Sequence, residues 1–66
     1  MKRMEGVVTG RVGHYFVIEC PNAPKHLQYL NLVPGQVMGA KVGDSVILEY
    51  QVTRNSGLWN VVEVKK

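Results

Sequence analysis

The chain has 66 residues, with eight Lys or Arg against five Asp or Glu, a formal net charge of +3 and a pI of about 9.3. That length makes one domain, residues 1–66, with a modest core. A lone cysteine, Cys20, excludes an internal disulfide, and Cys20, His14 and His26 follow no metal-ligand spacing, so no metal or other cofactor is expected. The single thiol fits a reducing cytoplasm. The opening MKRMEGVV carries no apolar signal-peptide core, and no apolar run is long enough for a membrane span, so no membrane partner is expected.

In chain order, Glu5 to Val12 reads as a first strand, with Val8 and Val12 on one face and Val7, Thr9 and Arg11 on the other. Gly6 and Gly10 lie inside it, and a bend is the favoured reading over a bulge or a close backbone approach. Gly13-His14 is a short turn. Tyr15 to Cys20 is the second strand, with Phe16, Ile18 and Cys20 alternating against Tyr15, Val17 and Glu19. Pro21-Asn22-Ala23-Pro24 breaks it. Lys25 to Val33 suits either one helical turn or a strand, and a short strand around Gln28 to Leu32 is favoured. Pro34-Gly35 is a turn, and Gln36 to Ala40 is a short extended segment or a single helical turn. Lys41-Val42-Gly43-Asp44 is a tight turn, in which Asp44 is expected to hydrogen-bond the turn backbone.

Gly43 to Val64 reads as a hairpin. Val46, Leu48, Tyr50 and Val52 share one face, with Ser45, Glu49 and Gln51 opposite. Asn55-Ser56-Gly57 is the turn, where Asn and Gly tolerate positive φ. In the last strand Leu58, Val62 and Val64 fall on one face and Trp59, Val61 and Glu63 on the other.

Five strands, a glycine-bent first strand, a long connection between strands three and four, and the GDSVILEY entry to strand four resemble the oligonucleotide/oligosaccharide-binding (OB) barrel, and within it the cold-shock domain and then the S1 RNA-binding domain. Gly6-Val7-Val8, Gly13-His14-Tyr15-Phe16-Val17-Ile18, Leu27-Gln28-Tyr29-Leu30, Val42 to Glu49 and Gly57 to Val62 are similar to successive cold-shock segments. The resemblance implies an all-β fold, a small five-stranded Greek-key barrel, with aromatic side chains on one face that stack on bases. The chain departs from the family at strand one, where Gly10 and Arg11 stand in place of a surface Trp and Phe. In strand two, Tyr15 and Val17 replace two exposed Phe.

Single strands are bound by aromatic faces that stack on bases and by cations that track the backbone. The candidates for that work are Arg11, His14, Tyr15, Lys25, His26, Tyr29, Arg54 and Trp59. Tyr15 beside His14 and Arg11 makes the base platform, although a Tyr at such a place also serves as an ordinary cross-strand neighbour. Trp59 leans toward partial burial as a structural residue, and Tyr50 toward the core. The basic residues Lys2, Arg3, Lys65 and Lys66 sit at the ends, where they suit solubility as well as contact with a polyanion. The carboxylates Glu5, Glu19, Asp44, Glu49 and Glu63 are dispersed, Cys20 reads as a small buried hydrophobe, and Gly10 to Gly13 lacks the spacing of a phosphate loop. No catalytic residue is expected, and the chain is not expected to be an enzyme.

Two functions fit these features. One is binding of single-stranded nucleic acid, RNA ahead of DNA, as a chaperone or regulator. The other is a small protein-interaction module, an accessory factor or inhibitor of a larger complex of the kind phages and mobile elements encode, with self-association or a stable protein partner. A homodimer through the last strand's edge fits either function.

Overall fold

In a computed structural model that describes residues 2–65, the chain forms five strands: β1 (Arg3–Val12), β2 (Tyr15–Glu19), β3 (Tyr29–Leu32), β4 (Ser45–Val52) and β5 (Gly57–Lys65). They make one antiparallel sheet in the order β3-β2-β1-β4-β5. β1 is long enough to serve two neighbours. Its first half pairs with β4, from Arg3 opposite Glu49 to Val7 opposite Ser45. Its second half pairs with β2, from Val7 opposite Glu19 to Val12 opposite Tyr15. The region Lys25 to Val33, open between helix and strand in the sequence, contains both: a 3₁₀ turn at Lys25–Leu27 followed by β3.

One side of the sheet carries the core. Met4, Val8, Ile18, Cys20, Leu32, Val46, Leu48, Trp59 and Val61 are buried there, joined by Ala23, Val37 and Ala40 from the connections. Burial of these side chains is the main force that holds so short a chain together. Gly6 lets the strands meet: a Cβ at this position would stand 2.8 Å from both the Cys20 Sγ and the Ile18 Cγ2. The glycine is therefore a close approach, where the sequence favoured a bend.

The sheet is open, and among the described residues no ladder joins β3 to β5. A second 3₁₀ turn, Pro34–Gln36, spans this seam. The Gln36 side chain donates from Nε2 to the Trp59 carbonyl at 3.0 Å. Its Oε1 accepts from the Val33 amide at 3.1 Å. One amide thus ties the end of β3 to β5.

Two bulges overturn facings expected from simple alternation. In β1, Val8 pairs with Ile18 and Gly10 with Val17, so Thr9 is the extra residue. Beyond it the parity slips. Arg11 pairs with Phe16 on the core side, and Val12, expected beside Val8, pairs with Tyr15 on the outer side and is 68% exposed. In β5, Ile47 pairs with Glu63 and Leu48 with Val61, so Val62 is extra. Trp59 and Val61 are buried, and Val64 returns to the core side opposite Val46. Leu58 is exposed. Ile47 is buried on the outer side, between Glu5 and Glu63 of the adjacent strands.

Two further corrections concern the β4–β5 hairpin. Tyr50 has the facing of Leu48 but is 40% exposed, because it lies past the end of the core. There its ring covers Gly57 and tilts at 58° against Trp59, 5.4 Å between centroids. Val52, two pairs further out, is exposed. The turn does not use positive φ at Asn55 or Gly57. It closes through the Thr53 amide and hydroxyl, both donating to the Ser56 carbonyl. The Lys41–Asp44 turn follows expectation: the Asp44 Oδ2 accepts from the Lys41 amide at 3.0 Å.

Candidate nucleic-acid interface

The outer face of β2 and β3 is built by alternation. Phe16 and Ile18 turn toward the core, which sends Tyr15, Val17 and Glu19 outward. Across β3 the register sets Asn31 beside Val17 and Tyr29 beside Glu19. Tyr15 is 50% exposed and Tyr29 65%. The interval from Tyr15 to Glu19 along β2 puts the two rings about 13 Å apart in the strand direction. Val17 and Asn31 floor the space between them. The Thr9 hydroxyl reaches across from the bulge to donate to the Val17 carbonyl at 3.3 Å.

Basic groups adjoin both ends of this face. His14 occupies the β1–β2 turn immediately before Tyr15, where Gly13 takes φ +59° to reverse the chain. Lys25 and His26 are exposed in the 3₁₀ turn that leads into β3 and Tyr29. Among the described residues the salt bridges are Arg3–Glu49 at 3.1 Å and Lys65–Glu5 at 2.9 Å, both on β1, β4 and β5. Lys25 is therefore not neutralised by a carboxylate of the described chain.

Of the residues singled out in the sequence, the fold brings Tyr15 and Tyr29 onto one face, with His14, Lys25 and His26 beside them. Three others are elsewhere. Arg11 is on the core side of the sheet, its guanidinium carbon 5.3 Å from the Phe16 ring centroid, so the expected Tyr15–Arg11 pairing on one wall is not formed. Trp59 is 8% exposed and packs in the core, the structural role toward which the sequence leaned. Arg54 lies at the tip of the β4–β5 hairpin, with β1 between that strand pair and β2 in the sheet order. Lys66 lies outside the described residues.

Two polar residues of this face escaped the sequence reading as site residues. Glu19 was visible from its alternation with Tyr15 and Val17. Asn31 was not, because its place depends on the β2–β3 register. Cys20 is fully buried, and its thiol is pushed above its ordinary value, mainly by burial and then by the Glu19 charge. Among the described residues no three His, Cys, Asp or Glu side chains converge to hold a metal ion, and no helix is long and apolar enough to cross a membrane. A groove of about 380 Å³ lined by Arg3, Met4, Glu5, Asn22, Ala23 and Ile47 contains neither tyrosine.

Fold and site together define a small all-β domain with a two-tyrosine sheet face. No family model matches the sequence, and neither a curated protein nor a solved structure matches the chain.

Proposed function

We propose that the chain binds single-stranded nucleic acid, RNA ahead of DNA, on the outer face of β2 and β3, and serves as a chaperone or regulator without catalytic chemistry. The observation that carries this reading is the placement of Tyr15 and Tyr29 on adjacent strands of one face, half or more exposed, with Lys25 and His26 next to one of them. Each ring offers a stacking surface, and the space between admits intervening bases of an extended strand. The net charge of +3 supplies long-range attraction to phosphates. The sheet order and the shared β1 support an OB-like, cold-shock-type barrel whose last seam is bridged by Gln36 in place of a strand ladder.

The test is fluorescence anisotropy with labelled oligo-U and oligo-dT across a salt series. Affinity falls as salt rises, because each counterion released on binding gains less entropy in a saltier solution. Tyr15→Ala and Tyr29→Ala each weaken binding by about 1–3 kcal/mol. Absence of binding at low salt contradicts the proposal.

A second reading has its own observation. Val33, Met38 and Val42, all in the β3–β4 connection, are exposed apolar side chains that the nucleic-acid face does not use. They favour a protein-interaction module. Light scattering checks it: a strict monomer that retains no protein in a pull-down removes this reading.

A further inference from the structure

Glu19 is the carboxylate of the tyrosine face. It stands directly opposite Tyr29, with Val7 on its other side. Directly opposed residues of an antiparallel pair hold their Cβ atoms about 5 Å apart. A base stacked on the Tyr29 ring therefore has its edge within hydrogen-bond reach of the Glu19 carboxylate. Among the described residues that carboxylate forms no ion pair, those being Arg3–Glu49 and Lys65–Glu5. Glu19 is half-buried.

A carboxylate accepts hydrogen bonds and donates none. Its neighbourhood is unfavourable for a phosphate and favourable for a base edge rich in N–H. We propose that Glu19 selects the base stacked on Tyr29, and that guanine is preferred. This rests on the nucleic-acid reading of the face. An unpaired guanine presents two adjacent donors, N1–H and the 2-amino group, which match the two carboxylate oxygens. Cytosine offers its 4-amino group alone. Uracil places acceptor oxygens on both sides of its single N–H, and these oppose the carboxylate. Unstacked bases in single strands are read through such edges. The phosphates then lie toward the exposed Lys25 and His26 of the preceding turn.

The test uses the full chain and labelled uridine octamers that carry one central guanosine, inosine, cytidine or no replacement, read by anisotropy at low salt. The guanosine octamer binds roughly fivefold or more tightly than plain uridine, the discrimination expected of a bidentate contact. Inosine lacks the 2-amino group, and its octamer falls between the two without any change to the protein. Glu19→Gln, which exchanges one acceptor for a donor, brings the guanosine and uridine octamers to within about twofold. Equal binding of all octamers, still weakened by Tyr29→Ala, overturns the base preference and leaves the interface standing. A guanosine preference that survives Glu19→Gln overturns the role given to Glu19. No binding of any octamer overturns both proposals.

Discussion

Arg11 stacks on Phe16 across the β1–β2 ladder, its guanidinium carbon 5.3 Å from the ring centroid. Its Nε also donates to the Gly13 carbonyl at 3.2 Å, so the side chain clamps the β1–β2 turn from the core side. Tyr15, adjacent to Phe16 in sequence, faces the other way. The cause is the bulge at Thr9, which turns Arg11 from one side of the sheet to the other.

A structural arginine and a binding tyrosine respond differently to truncation. Arg11→Ala lowers stability by about 0.5–1 kcal/mol, the scale of an exposed cation–π contact. In a domain this small that lowers Tm by roughly 2–8 °C. Oligonucleotide affinity stays within about twofold, since Arg11 is away from the tyrosine face. Tyr15→Ala does the reverse, with weaker binding and a nearly unchanged Tm. Thermal melts and anisotropy on both variants check the pair.

Gly6 is filled from the far side by β2. A Cβ at this position meets the Cys20 Sγ and the Ile18 Cγ2 at 2.8 Å and the Glu19 carbonyl oxygen at 3.1 Å. None of these is the loose end of a long surface chain. Gly6→Ala therefore destabilises the fold by about 1–3 kcal/mol, as overpacking does. Gly10 has open space around it, so Gly10→Ala is the control with a much smaller loss. Urea denaturation of the two variants makes the comparison.

Much of this architecture is legible in the sequence. Phe16, Ile18 and Cys20 alternate with Tyr15 and Val17 as the period of a strand requires, and the outward Tyr15 follows from that alone. Asp44 after Gly43 marks its turn correctly. What escapes is whatever depends on a second strand. Neither bulge leaves a mark in its own segment, because an extra residue exists only relative to the ladder opposite. The facings of Arg11 and Val12, and of Glu63 and Val64, go wrong for that one reason. Tyr50 has the expected facing, but the alternation does not say where the core ends.

Met38 occupies the left-handed region at φ +55°, followed by Gly39 at +75°. The Ala40 amide donates to the Val37 carbonyl at 3.0 Å across them. Two consecutive positive φ values make a turn of the kind that favours Asn-Gly. A β-substituted residue there costs roughly 1–2 kcal/mol, and exposed Met38 regains none of this through core burial. Met38→Asn raises stability by about 0.5–1 kcal/mol. Matched denaturation curves check it, and a loss of stability shows that the Met38 side chain makes contacts worth more than the strain.

The Cys20 thiol is raised, first by burial and then by the Glu19 charge. The folded state therefore holds its proton at a pH where the unfolded chain has released it. Unfolding then releases a proton, so stability is intact at neutral pH and falls as pH climbs through the ordinary thiol range, about 8.5. Cys20→Ala removes this alkaline slope even though the cavity lowers overall stability. Denaturation midpoints of both chains between neutral and alkaline pH check the slope, and thiol titration with a chromogenic disulfide is slow until the protein unfolds.

The outer face of β2 and β3 as the docking surface is tested most directly by amide shift mapping: ¹⁵N-labelled protein titrated with a short uridine-rich oligonucleotide carrying one guanosine. The expected result is a set of shifts concentrated at Tyr15, Val17, Glu19, Tyr29 and Asn31, extending to Lys25 and His26. Shifts confined to β4 and β5, or none at low salt, contradict it.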